Sequence, residues 1–347
     1  MTKTRVQKLK SKIGEVNYRS KLAAQYQDKK IIFENEPSHK EIVQALKQRI
    51  KSTKKDFAFL KKNHVEFFPY LEIGAEFGHR AAILEEKHQA KGFVLDISLE
   101  SLSLAPFFLK HLKLNKIPER ICADAYNLPF QDNSFSFAFC YQSLHHFPDP
   151  KPVINEIYRV LKPHGFFFVN EEPISQGLNL NLWRRPTKLR LWERMLKYTL
   201  ILPFISRIGK TETDHGILEE TFDLKTWEKS LEIFENATVW INPFKFGPGT
   251  KITKNSQTAR LKPSLISLPF IFALGGGIKI LAQKDNSPLD KKSDNINSTL
   301  SCPACLKILN PNLVCPKCNT RYPVLKKIKL LLNKKLMEKL YPQIIKN

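Results

Sequence analysis

The chain lacks any apolar run long enough to cross a membrane. The stretch that comes nearest, Ser264 to Ile278, is free of charge but only fifteen residues long and is interrupted by Pro269 and by Gly275 to Gly277. A spanning helix needs ~20 apolar residues, so this stretch reads as a loop feeding a strand, or as a greasy surface for a lipid-linked substrate. An apolar stretch of the kind that makes a secretory signal is also missing, because residues 1–30 are polar and basic. Cysteine is scarce: of six, four stand in two C-x-x-C pairs, and Cys122 and Cys140 fall in expected core strands. That usage argues against a disulfide framework and points to a reducing, cytoplasmic setting with one metal site.

Acidic residues are scarce at the two ends. Residues 1–62 hold 17 Lys/Arg against 6 Asp/Glu and residues 291–347 hold 12 against 2, while the 228 residues between them hold 27 against 25. The net charge of +23 therefore belongs to the ends, which could track nucleic-acid phosphates or an anionic membrane surface, or could simply be solvated faces.

What is present centres on Tyr70 to His79, Y-L-E-I-G-A-E-F-G-H. An apolar run, an acid, two glycines four apart and a helical pattern from Arg80 spell a buried parallel strand, a tight turn and a helix N-terminus. Glycine serves such a turn where a ligand approaches the backbone or where φ is positive, and the helix N-terminus offers free N–H groups. Two glycines alone fit equally a turn that merely closes a fold. Asp96 ends the next expected strand, 24 positions after Glu72, where a doubly wound sheet places an acid that binds ribose hydroxyls.

LEIGAEFG, VLDIS, CADAYNLPF, YQSLHHFPDP and EIYRVLKPHGFFFVNEEP follow one another over about 100 residues. In this order and spacing they resemble the class I S-adenosylmethionine-dependent methyltransferases. The resemblance implies an α/β, Rossmann-like seven-stranded sheet. It also implies that Glu72, Gly74 and Gly78 hold the amino-acid end of S-adenosyl-L-methionine, Asp96 with Ile97 the ribose, and Asp124 with Ala125 the adenine, Tyr141 being a further cofactor-side residue. Three positions depart from the family pattern: Glu76 replaces the middle glycine of the turn, Ser136 an acid of the fourth strand and His164 the first glycine of K-P-G-G.

The expected organisation is a basic helical segment over 1–62, a methyltransferase domain over 63–284, a linker over 285–300, and a zinc ribbon with a basic tail over 301–347. Helices are expected over Leu99–Leu114, kinked or restarted at Pro106, and over Val153–Leu161. Strands are expected at Phe135–Tyr141, Gly165–Asn170, Ala237–Phe244 and Gly277–Gln283. Residues 171–235 exceed a plain crossover and suggest a helical insertion over the active site. Within it, Trp183 to Lys197 interleaves six cations with two tryptophans, suited to a polyanionic substrate including stacked bases, or to an amphipathic lid.

Cys302-x-x-Cys305, nine residues, then Cys315-x-x-Cys318 places four thiolates around one ion. Tetrahedral Zn²⁺ is the natural occupant, and with no open position it would be structural. The segment resembles the zinc-ribbon modules fused to or partnered with methyltransferases. His145 and His146 follow the fourth strand and are candidate bases for a protonated acceptor, or structural elements; His215, Glu171 and Glu172 are further candidates. The acceptor expected is a small molecule or a glycan or lipid intermediate. RNA gripped by the basic ends is the alternative, and a non-catalytic scaffold, suggested by Glu76, is a third reading.

Overall fold

The computed structural model describes residues 3–28, 39–174, 195, 217–218, 220–243, 249–254, 260–285 and 299–345. Two long helices, α1 (Lys3–Asp28) and α2 (His39–Lys62), precede a βα core of β1 (Tyr70–Ile73), α3 (His79–His88), β2 (Gly92–Asp96), α4 (Leu99–Ser103), α5 (Ala105–His111) and β3 (Glu119–Ala123). Then come β4 (Phe135–Tyr141), α6 (Lys151–Val160), β5 (Leu161–Ile174), α7 (Leu224–Ser230), β6 (Asn236–Pro243), β7 (Thr250–Lys254), α8 (Leu268–Leu274) and β8 (Gly276–Gln283). The C-terminal segment adds β9 (Val324–Leu325), β10 (Ile328–Leu331), α9 (Lys334–Leu340) and α10 (Pro342–Ile345).

The strands form one sheet in the order β7-β6-β8-β5-β4-β1-β2-β3-β10-β9. β1 to β5 are mutually parallel, and β8, β6 and β7 continue the sheet antiparallel beside β5. The architecture is the α/β, Rossmann-like one expected, with ten strands instead of seven. β7 extends one edge, and β10 pairs in parallel with β3 at the other, Ile328 facing Arg120 and Leu331 facing Ala123. The residues expected to form only a basic tail thus include two strands of the main sheet and two helices.

The strands are buried on both faces, and alternation assigns their side chains to two cores. Leu71, Phe93, Leu95, Ile121 and Ala138 face one core with α6 and Trp227 of α7. Tyr70, Val94, Cys122, Phe137 and Phe139 face the other, with residues of α1, α2, α3, α5 and α9. The expected helix over Leu99–Leu114 is two helices, with Pro106 in the first turn of the second, where its missing N–H costs nothing. The apolar stretch from Ser264, expected as a loop, contains α8; Pro269 sits in its first turn and Gly275, at φ 73°, closes it. Most of the expected insertion, including Trp183–Arg194, Leu196–Lys197 and His215, and most of the expected linker, lie outside the described residues. No described helix is long and apolar enough to cross a membrane.

Candidate active site

Strand order reverses between β1 and β4, and such a switch point opens a crevice at the carboxyl ends of the strands. Gly74 and Gly78 both adopt positive φ, 64° and 66°, as the turn between β1 and α3 requires. A Cβ on Gly74 would stand 2.5 Å from that of Ser143, just after β4, so the two loops that flank the crevice touch at this glycine. Glu76, the departure from the family pattern, is also left-handed at φ 54°. Its amide donates to Asp96 Oδ2 at 2.9 Å, while its carboxylate pairs with Arg19 at 3.2 Å and Arg49 at 3.7 Å. His164 stands at φ 61°, the backbone region that the family's glycine fills without strain.

Glu72 lies fully buried beneath the turn, its Oε2 accepting from the Ala81 amide at 3.1 Å in the first turn of α3. Burial pushes its carboxyl up to about 8, against the pull of Arg80 and the Ala81 amide. Its place in the geometry is under the turn, as a support. Asp96 is half-buried and holds the amides of Ser98 (2.9 Å) and Glu76; burial raises its carboxyl to about 6 against these bonds. Asp124 accepts from the Tyr126 amide at 3.1 Å and is ion-paired with Lys12 of α1. Ala125 is buried beside it.

α1 crosses the mouth of this crevice. Besides the contacts of Lys12 and Arg19, Ser11 Oγ donates to the His146 carbonyl at 3.3 Å, and Lys8 and Lys12 lie over the Tyr126 ring. The C-terminal segment also supports two of the crevice loops. The Tyr341 hydroxyl, fully buried, donates to the Ile97 carbonyl at 2.7 Å and accepts from the Leu99 amide at 2.9 Å. Gln131 N donates to Thr299 O and Ser301 N to Pro129 O, both at 2.9 Å, and Asn127 Nδ2 donates to Pro303 O. Arg120 binds the carbonyls of Leu102 and Lys326, tying α4 to the turn between β9 and β10.

After β4 the chain makes a single helical turn over Leu144–His146. Glu172, fully buried, accepts from the amides of Ser143, Leu144 and His145 at 2.7, 2.9 and 3.1 Å and from His145 Nδ1 at 2.8 Å. Burial pushes this carboxyl up, but the hydrogen bond and charge of His145 and the amide bonds outweigh it and hold Glu172 below its ordinary value. His146 Nδ1 is 2.9 Å from the Leu218 carbonyl. Glu171 sits at φ 63° where β5 and β8 slip register.

Arg80 was not singled out from sequence. A cation in the first turn of a helix opposes the dipole, and that conflict was the signal to find it. Its guanidinium is buried, 4.2 Å over the Tyr141 ring and 3.9 Å from Glu171, and its Nε has no hydrogen-bond partner. Tyr141 in turn donates to Asp56 of α2 at 3.1 Å, beside Asn170 and Lys279, each 2.8 Å from the same carboxylate.

The four C-terminal cysteines are brought together, their Sγ atoms all within 4.8 Å of one another. Cys302 lies 3.7 Å from Cys318 and Cys305 3.4 Å from Cys315. A tetrahedron of Zn–S bonds of ~2.3 Å has edges of ~3.8 Å, so the set fits one zinc ion. The Tyr322 hydroxyl is 3.0 Å from Cys302 Sγ, and the Ala304 amide donates to the same sulfur.

Residues 71–169 match the family described as methyltransferase domain. Among curated relatives, the malonyl-[acyl-carrier protein] O-methyltransferase of Marinomonas sp. is 32% identical over 108 residues, 31% of this chain and 38% of that protein. The demethylmenaquinone methyltransferase of Staphylococcus haemolyticus is 29% identical over 145 residues, 41% of this chain and 55% of that protein. A SAM-dependent methyltransferase structure from Methanosarcina mazei aligns with a TM-score of 0.40 at 22% identity, covering 65% of this chain and 97% of that one. The fold is α/β, and residues 71–169 within it are similar to a methyltransferase domain. The chain spans about half or less of the length of the two curated relatives.

Proposed function

We propose that the chain is an S-adenosylmethionine-dependent methyltransferase acting on a small-molecule or lipid-type acceptor. The observation that carries this reading is the convergence, at one switch point, of the two positive-φ glycines, Asp96 at the end of β2 and Asp124 at the end of β3. The residues suit the cofactor's parts. Gly74 and Gly78 open the turn to its amino-acid end, and the buried, unpartnered Arg80 Nε answers a carboxylate. Asp96 keeps lone pairs for ribose hydroxyls, and Asp124 faces the base. When bound, this cofactor supplies a methyl group already activated on a sulfonium.

The protein's share is then to align the acceptor and exclude water. His145, held in one orientation by Glu172, is the candidate to take a proton from a hydroxyl acceptor, by the logic of a base oriented by a carboxylate. The relatives' names, a malonyl acid on a carrier protein and a demethylmenaquinone, favour small or lipid-type acceptors. An RNA acceptor draws less support, since Lys12 and Arg19 of the basic N-terminal region are engaged with Asp124 and Glu76. The Glu76 carboxylate pairs with Arg19 and Arg49, which weakens the scaffold reading. Cys302, Cys305, Cys315 and Cys318 would hold zinc as a structural ion.

Calorimetric titration of the zinc-replete chain with S-adenosylmethionine tests this reading. Micromolar affinity is expected, falling at least about tenfold in Asp96→Ala with the fold retained by circular dichroism. Affinity should also rise with pH through about 6 as Asp96 ionises. Absence of binding by the intact chain would sink the proposal.

A further inference from the structure

Residues 265–272 expose more large apolar side chains than any other short stretch among the described residues. Leu265 is 89% exposed, Ile266 67%, Phe272 49%, Leu268 41% and Phe270 37%. Isolated exposed apolar residues are ordinary, but five within eight positions concentrate apolar surface on one short segment. The patch does not come from a frayed end. Ser267 and Ile271, one helical turn apart and fully buried, seat α8 on the sheet. A knot of hydroxyls fixes its start: Ser267 Oγ lies 2.9 Å from Thr250 Oγ1 and 2.8 Å from Ser264 Oγ, and the Ser264 amide donates to Thr250 Oγ1 at 2.9 Å. The Leu261 amide donates to Glu228, anchoring the approach to the helix. The fold therefore holds the apolar side chains outward on a rigid support.

The sequence that carries the patch is basic. Residues 236–284 contain seven Lys/Arg and no Asp or Glu, and Lys251, Arg260 and Lys262 are exposed. An apolar centre with a basic rim is the signature of a segment that lies in the plane of an anionic lipid surface. The position agrees. Directly after α8, Gly276 pairs with Ile174 at the carboxyl end of β5, so the patch lies at the strand edge that opens the crevice. A second copy of the chain is a poor occupant, because it would bring an identical basic rim and its own net charge of +23 against the first.

We propose that α8 with Leu265 and Ile266 is a membrane-docking surface for an anionic bilayer, which turns the crevice toward the lipid. Docking as such does not depend on the methyltransferase reading. Where both hold, the acceptor is a bilayer-resident apolar molecule.

The test is co-flotation of the full chain, without cofactor, with vesicles of phosphatidylcholine alone and of phosphatidylcholine mixed with phosphatidylglycerol. Binding to the mixed vesicles is expected, weakening with salt and falling about tenfold in Leu265→Glu and in Phe272→Glu. Both side chains are exposed, so the melting temperature should not move; Leu265→Ser is the milder companion variant. No binding to anionic vesicles overturns the proposal. So does binding that the apolar-to-acidic variants leave unchanged, which would assign it to the basic ends alone. Sedimentation showing a dimer that Leu265→Glu dissociates would give the face to a second copy and equally overturn it. Because no cofactor is used, a failure here is separate from a failure to bind S-adenosylmethionine.

Discussion

Residues 1–62 and 291–347 carry nearly equal excesses of positive charge, +11 and +10, yet they reach the same crevice by different physics. α1 crosses its mouth and meets its acids with cations: Lys12 on Asp124, and Arg19, joined by Arg49 of α2, on Glu76. The C-terminal segment builds its contacts from backbone pairing, a buried tyrosine and a cysteine cluster: β10 on β3, Tyr341 on Ile97 and Leu99, and Thr299 to Pro303 along the loop after Asp124. Partly exposed ion pairs contribute little and are screened by salt, whereas buried ladders and apolar contacts are not. α1 also packs Val16, Tyr18 and Leu22 into the core, so salt should act on its crevice contacts while the helix stays seated, and the C-terminal contacts should be the less sensitive of the two.

The largest effect expected from breaking this contrast is at the cysteines. Four-thiolate zinc binding is worth on the order of 10 kcal/mol in small modules. Cys315→Ser should therefore cost the metal, unravel residues 299–322 and loosen β10 from β3. Metal content, the thermal transition and amide exchange on Ile328–Leu331 would check this. A metal-free protein with an unchanged transition would show that the sheet holds the segment unaided.

Next in size is Tyr341→Phe, which keeps the ring but leaves the Leu99 amide and the Ile97 carbonyl each short of a partner. A lost buried hydrogen bond of this kind costs ~1–3 kcal/mol. Under the proposed function, part of that cost should appear as about a tenfold weaker cofactor affinity, because the loop it holds begins at Asp96. Equal affinity with lowered stability would make Tyr341 a purely structural contact.

The core strands were legible because their signals are local. Glycines at Gly74 and Gly78, alternation in Phe135–Tyr141 and the paired C-x-x-C spacings each carry their reason within a few residues. The joining of β10 to β3 was not legible, since parallel pairing across some 200 residues leaves no mark in V-L-K-K-I-K-L-L beyond a strand-like run. α8 was missed because Pro269 and Gly275 read as breakers, although a helix accepts proline in its first turn and glycine at its end. Of the candidate site, the place of Asp96 and Asp124 at strand ends was legible. The site's partners Lys12, Arg19 and Tyr341 were not, because an ion pair or hydroxyl contact made across the fold has no period to detect.

The smallest effect, and the finest test of the contrast, is at Lys12. Its ammonium and Asp124 both keep some access to solvent, at 15% and 13% side-chain exposure, and a partly exposed pair contributes ~1 kcal/mol or less. If Asp124 must receive the cofactor's base, Lys12 competes for the same carboxylate oxygen. Lys12→Met should then strengthen cofactor binding by about two- to fivefold while leaving the melting temperature within a degree or two. Raising salt should do the same to the parent chain and leave the variant unmoved. It should also speed amide exchange along α1 without touching β10. Weaker cofactor binding in Lys12→Met would reverse the assignment: α1 would then be a clamp that closes over a bound ligand, and its ion pair with Asp124 part of the closed state.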